Sequence, residues 1–292
     1  MRIAKISLFL FVLGFSIFNQ GCKEEENNPP KEPQLIFKFK FDSTQTRLNN
    51  IGQSSPVPVG NAGQSPRFNG MSAHYIELSQ GIHTLVGSGE VLYVGEQTTA
   101  GGDTAIRFEG ETIVGEGETF FSVPLKDVSP GTFEYLRVSL AYQNYDVDMF
   151  AVISLTGTIA SFVGFNTYIN SYTVKDSSVI VNGNRLQGYW AFETGGSPVP
   201  VEVQSGQAPG TTVVNPLFAT SPIPAGSCLV TGEFDSPLII TGDETEDIII
   251  TVSLSTNKSF EWVDTNPNGI WEPLAGEAVV DMGLRGLNPI VE

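Results

Sequence analysis

A strict alternation of apolar and polar residues is what most limits how this chain can fold. In Leu35-Ile36-Phe37-Lys38-Phe39-Lys40-Phe41 the rings of Phe37, Phe39 and Phe41 fall on one side, Lys38 and Lys40 on the other. A helix would scatter these residues around its surface, whereas a strand sends successive side chains to opposite faces. The segment predicts a half-buried strand, and its lysines suit a sheet edge. The same period predicts strands over residues 73–78, 91–94, 105–108, 120–123, 133–140, 149–155, 189–192, 229–234, 248–254 and 260–263.

Turn-forming clusters separate these runs: Ser129-Pro130-Gly131, Asn182-Gly183-Asn184, Gly195-Gly196, Ala208-Pro209-Gly210 and Thr241-Gly242-Asp243. No stretch holds a 3.6-residue apolar stripe over three turns. Many short strands, with 31 Gly and 18 Pro, predict an all-β body over residues 34–292. The expected form is an antiparallel β-sandwich, immunoglobulin-like or jelly-roll-like, elaborated or built as two packed sub-domains. Residues 195–224, rich in Gly, Pro, Ser and Thr, read as a long surface loop or a hinge. The apolar segment 149–174 is interrupted by Gly157, Gly164, Asn166 and Asn170 and makes no clean membrane span. Within it, residues 159–165 read as a buried strand, the alternative being an apolar loop offered to a partner.

The first 33 residues obey a different logic. Arg2 and Lys5 precede an apolar run from Ile6 to Phe18, and Cys22 follows. As a helix that run spans about 20 Å at roughly 1.5 Å per residue, short of the roughly 20 residues a bilayer crossing needs. A basic start, a short apolar stretch and a small residue before the cut mark a secretory signal over residues 1–21. Phe18-Asn19-Gln20-Gly21-Cys22 resembles a lipobox in its final Gly-Cys, with Asn19 and Gln20 where such boxes carry an apolar and a small residue. Lys23-Glu24-Glu25-Glu26 resembles the lysine-plus-acidic export tag of Bacteroidota surface lipoproteins. That resemblance implies cleavage before Cys22, acylation of its thiol by a fatty acid such as palmitate, and an outer-membrane protein exposed at the cell surface. Residues 22–33 then form an acidic, Pro-rich tether, too polar to bury itself.

Charge and cysteine content narrow the partners. The formal net charge is −17, or about −19 once Arg2 and Lys5 leave with the signal. Such a surface repels phosphates, and no Lys/Arg cluster offsets it, so nucleic acid is not an expected partner. With Cys22 acylated, Cys228 stands alone and no intramolecular disulfide forms. In Ser-Cys-Leu-Val it reads as a small buried hydrophobe.

One short motif stands above background. Asp264-Thr265-Asn266-Pro267-Asn268-Gly269-Ile270-Trp271-Glu272 places oxygen side chains at alternate positions before a glycine turn, as a loop wrapping a hard cation requires. It resembles the calcium loops of EF-hand and dockerin-like type. On that resemblance Asp264, Asn266 and Asn268 supply side-chain oxygens and Ile270 its carbonyl. Ala275 occupies the twelfth position, where a bidentate carboxylate belongs, so Glu272 or Glu277 must serve through an altered wrap. The alternative is a plain Asn-Pro-Asn-Gly turn between strands.

Other constellations are sparse. His74 and His83, the two histidines, read as ordinary surface residues; the alternative is a pair facing across a hairpin, where a copper site would also need Met71, Met149 or a carboxylate. Asp146 with Asp148, and the run Asp243 to Asp247, supply paired carboxylates of the kind a glycosidase uses. No G-x-S-x-G, Gly-rich phosphate loop or C-x-x-C is present. The layout of an amphipathic opening strand, then Val123-Pro124, Ser129-Pro130-Gly131-Thr132-Phe133 and later Gln187-Gly188-Tyr189-Trp190, resembles MbnP-type copper-associated β-sandwich proteins. Three readings follow. The first is a non-enzymatic surface lipoprotein binding a glycan, peptide or outer-membrane protein. The second is a metal-binding protein, calcium before copper, and the third a carboxylate-dependent surface hydrolase.

Overall fold

One strand, β8 (Gly131–Ala151), runs for 21 residues, about twice the upper end of the usual 3–10. Its apolar positions account for the length: Phe133, Leu136, Val138 and Leu140, then Tyr145, Val147 and Met149, are buried from one end to the other. The structure, a computed structural model, describes residues 32–196, 199–208, 221–224 and 226–292. The expected signal, Cys22 and the tether through Lys31 lie outside the described residues.

The two edges of β8 serve different partners. One edge pairs with β3 (Arg67–Ser79). The other pairs first with β14 (Cys228–Ile240) and then, from Tyr142 onward, with β9 (Ile153–Phe162). Beyond β9 lie β12 (Tyr189–Gly196) and β13 (Val199–Gln207), and beyond β3 lies β4 (Glu90–Val94), completing seven strands. Three smaller sheets surround this one. Their strand orders are β18 (Leu287–Val291), β15 (Ile248–Ser255), β1 (Gln34–Asp42), β7 (Thr119–Pro124); β11 (Ser178–Leu186), β10 (Asn166–Thr173), β6 (Ala105–Arg107), β5 (Gln97–Thr98); and β17 (Val279–Met282), β16 (Phe260–Val263), β2 (Asn61–Gln64). The chain is all-β, and its pairings are antiparallel except β1 with β15 and β6 with β10. No helix among the described residues is long and apolar enough to cross a membrane.

Packing follows from which face each side chain takes. Leu35, Phe37 and Phe39 of β1, with Ile250, Val252 and Leu254 of β15, bury themselves against Phe133, Leu136, Val138 and Leu140. Farther along β8, Tyr142 and Tyr145 stand three residues apart and so point to opposite faces. Tyr142 meets Phe162, Tyr172 and Tyr189 under the β10 sheet, where Phe162 holds these three tyrosines and Phe108 at ring separations of 4.9–5.7 Å. Tyr145, Val147 and Met149 meet Phe260, Trp262 and Trp271 beside the β16 sheet. This half is therefore three sheets deep, with β8 in the middle layer. Phe68 joins the two cores on the second face, stacking on Phe41 at 4.7 Å and on Tyr145 at 5.0 Å.

Buried charges pin the loops. Glu77 and Arg137, directly paired across β3 and β8, are both fully buried. The Glu77 carboxylate accepts the N–H of Gly87 and of Gly89 at 3.0 and 2.7 Å, and a 3.3 Å bond from Arg137. Arg137 also donates to the carbonyls of Ile82 and Thr84. The pair thus holds the segment joining β3 to β4 against the sheet. Glu193 does the same for the β10–β11 turn: burial works to raise its carboxyl, but the N–H groups of Lys175, Asp176 and Ser177 outweigh it and hold it below the ordinary value.

Several expectations are corrected. β1 is a central strand, so Lys38 and Lys40 project from a solvated face of the sheet and do not mark its edge. The predicted strand at 149–155 is a hairpin tip: β8 ends at Ala151, and Val152 takes φ 72° before β9 begins. Asn182-Gly183-Asn184 is a bulge inside β11, where Asn182 has φ 50°. Within 195–224, residues 199–207 form β13 on the edge of the large sheet. Pro289 is tolerated because β18 is an edge strand. Replacing Glu77 with Ala strands the Arg137 guanidinium in the core, and the expected loss is about 3–5 kcal/mol, read as a lower urea midpoint. Glu77→Leu with Arg137→Met should recover most of that loss.

Candidate functional site

The Asp264 loop gathers nearly every residue its sequence nominates. Asp264 Oδ2 accepts the Gly269 N–H at 3.2 Å, and Asn268 Oδ1 accepts that of Ile270 at 2.7 Å. Gly269 takes φ 71°, which lets the chain reverse here. Pro273–Ala275 form a 3-10 turn, and Gly276 at φ 83° swings the chain back. That reversal brings Glu277, two residues late by sequence, into the loop. Its carboxylate accepts the N–H of Asn266 at 3.3 Å and of Glu272 at 2.7 Å, and its side chain is buried. The amides of Asn266 and Asn268 both donate to Glu272 Oε2, at 2.9 and 2.8 Å. The Ile270 side chain is exposed.

A hard cation takes six to eight oxygens. Asp264, Asn266, Asn268, Glu272 and Glu277 carry them, and Asp264 Oδ1 is buried with no hydrogen-bond partner. Turning the two amides over exchanges nitrogen for oxygen at Glu272. Among the described residues, however, no three acidic, His or Cys side chains close on one point. The donors fit calcium in kind, and the loop must contract to fit it in geometry.

A cavity of about 460 Å³ opens where β8 changes partners. Leu140 lies at its floor, Ser161 and Val163 come from the end of β9, and Cys228, Leu229 and Val230 from the start of β14. The Ala141 carbonyl accepts the N–H of both Val163 and Gly164, at 2.9 and 3.0 Å, stitching the fork shut beneath. Gln187, Asp281 and Arg285 bring polar groups to the lining, and Gln187 Oε1 and Arg285 Nε are buried without a hydrogen-bond partner. Burial pushes the Cys228 thiol up to about 12, with the Asp281 charge adding to the effect. Among the described residues no Trp, Tyr or Phe lines the cavity. Sequence reading misses this site because its walls come from segments remote in the chain. The nearest signal is Gly286, whose left-handed φ of 89° and close approach to Leu48 leave no room for a side chain.

The remaining candidates are dispersed or occupied. His74 is fully buried and His83 exposed, and the contacts of His74 are Gln97, Glu111 and Phe165. Met71 and Met149 belong to different cores. The expectation of surface histidines thus holds for His83 and is corrected for His74, and the alternative His74–His83 pair with a methionine is not assembled. Asp148 is held bidentately by Arg67 at 2.9 Å, and Asp146 accepts from Thr158 and Asn69. Glu244 accepts from Thr241 and Gly242, and Asp247 from the Gln34 N–H. These carboxylates close turns and pair strands. Glu277→Ala removes the acceptor of two backbone N–H groups, each bond to a charged group being worth about 1.5–3 kcal/mol. The expected result is a destabilised domain with faster amide exchange at Asn266 and Glu272, read by mass spectrometry. Comparison with models of known protein families, with curated proteins and with solved structures finds no match to this chain.

Proposed function

We propose that this protein is an outer-membrane lipoprotein, held by fatty acid on Cys22 and exposed at the cell surface. On this reading its β-sandwich body is a non-enzymatic binding module that takes a peptide segment of an outer-membrane partner into the cavity at the β8 fork. The observation that carries the reading is that cavity: about 460 Å³, within the range of ligand sites, largely apolar, with a few polar groups left unpaired. An apolar hollow with scattered hydrogen-bonding atoms suits side chains and backbone of a peptide. A sugar would call for an aromatic platform, and none of the described residues that line the cavity is Trp, Tyr or Phe. The signal and tag at residues 1–26 support the membrane location, and the acidic charge supports a partner other than nucleic acid.

The test is photo-crosslinking in intact cells from position 280, at the cavity mouth, with position 59 as a remote exposed control. The expected outcome is one adduct of defined mass from position 280 and none from position 59. Ala208→Trp, which fills the mouth, should abolish it, and Cys22→Ser should release the protein from the membrane and lose the adduct. Equal adducts from both positions would sink the reading.

A second reading, structural calcium at the Asp264 loop, is supported by the buried unpaired Asp264 Oδ1 beside Glu272 and Glu277. Bound calcium would contract the loop and stabilise the folded state by mass action, by about 2.7 kcal/mol at a hundred times its Kd. Melting curves in excess calcium and in chelator should then differ for the wild type and coincide for Asp264→Asn. Coincident wild-type curves rule calcium out.

A further inference from the structure

Where β3 meets the edge strand β4, three side chains converge that neither the cavity nor the Asp264 loop employs. His74 is the extra residue of a bulge: Ala73 pairs with Leu140 and Tyr75 with Ser139, leaving His74 between them. A bulge re-aims the side chain it carries, and here it sends the imidazole toward Tyr93 of β4 and Glu111. The His74 side chain is 0% and that of Glu111 1% exposed. His74 Nδ1 and both Glu111 carboxylate oxygens have no hydrogen-bond partner. Nδ1 and Oε1 stand 4.0 Å apart, too far for a hydrogen bond.

A buried carboxylate with no donor is costly by several kcal/mol unless a positive charge compensates it. The space for one is defined by Gly95. A Cβ on Gly95 would lie 2.8 Å from His74 Nδ1, 3.2 Å from Glu111 Oε1 and 3.4 Å from the Tyr93 hydroxyl. Three donor atoms thus ring the one spot that a side chain would fill, and glycine keeps it open.

We propose that His74 Nδ1, the Glu111 carboxylate and the Tyr93 phenol oxygen hold a single divalent transition-metal ion of the zinc class. The donor set of one imidazole nitrogen and oxygens, with no sulfur, selects such an ion over calcium, which takes oxygens alone. With metal–ligand distances near 2.0–2.2 Å, closing the 4.0 Å gap by about 0.6 Å gives a tetrahedral spacing. Gln97 acts as a positioning residue: its amide nitrogen is placed 3.0 Å from His74 Nε2. Turned over, its oxygen accepts the Nε2–H and leaves the Nδ1 lone pair free for the ion. Phe165 seals the ring edge-on at 5.7 Å.

Zinc titration of the full-length protein in detergent, with metal content by mass spectrometry, tests the proposal. Expected are one equivalent of zinc, a raised melting temperature, and no competition from excess calcium. Glu111→Gln and Gly95→Ala should each weaken zinc at least tenfold. Gln97→Ala, at an exposed position that leaves the core intact, should weaken it about 10–100-fold. Absence of stoichiometric zinc in the wild type overturns the proposal. So does undiminished affinity in Gln97→Ala together with Tyr93→Phe, which would place the ion elsewhere.

Discussion

The backbone ladder along both edges of β8 is the constraint on which the rest depends. A buried strand must satisfy every N–H and C=O, and β8 is buried over most of its length. One partner, β3, covers one edge, but no single strand covers the other, so β14 and β9 divide it. The division creates a fork, and the fork creates the cavity. Ala141, unpaired with β3 at that point, turns its carbonyl to Val163 and Gly164. A second register shift, one residue farther along β3, leaves His74 unpaired between Ala73 and Tyr75. Cavity and His74 cluster thus sit at two neighbouring irregularities of one ladder.

Electrostatics act locally despite the strongly acidic total. The charges that matter to the fold are buried or half-buried pairs at loop roots: Glu77 with Arg137, and Glu261 with Arg47 and Arg285. Each carboxylate accepts more than one bond, which is what lets an ion pair persist away from water. Exposed pairs such as Arg67 with Asp148 contribute little by comparison. The acidic surplus remains on the solvated faces, where it keeps the body soluble.

Much of the strand content was legible because burial on one face imposes a period of two, as in Phe37, Phe39 and Phe41. Reading failed where two-sided burial or a bulge breaks that period. The run 149–155 lacks a Gly or Asn at its turn, since Val152 itself adopts the left-handed conformation. Asn182-Gly183 advertises a turn and makes a bulge, because the β10 ladder continues past it. The Asp264 loop was legible as a cluster of oxygens on a tight turn. Glu277 was harder to place, because only the left-handed Gly276 brings it back.

By itself the sequence determined that the body is made of strands, that its surface is acidic, and that residues 264–277 form an oxygen-rich turn. These properties are local, set by side-chain period, charge and turn chemistry. Only the tertiary structure decided that β1 is central, that β8 forks, and that His74 meets Glu111 and Tyr93. Those facts depend on which strand edges pair across long separations in the chain, and register between distant strands leaves no periodic trace in either strand alone.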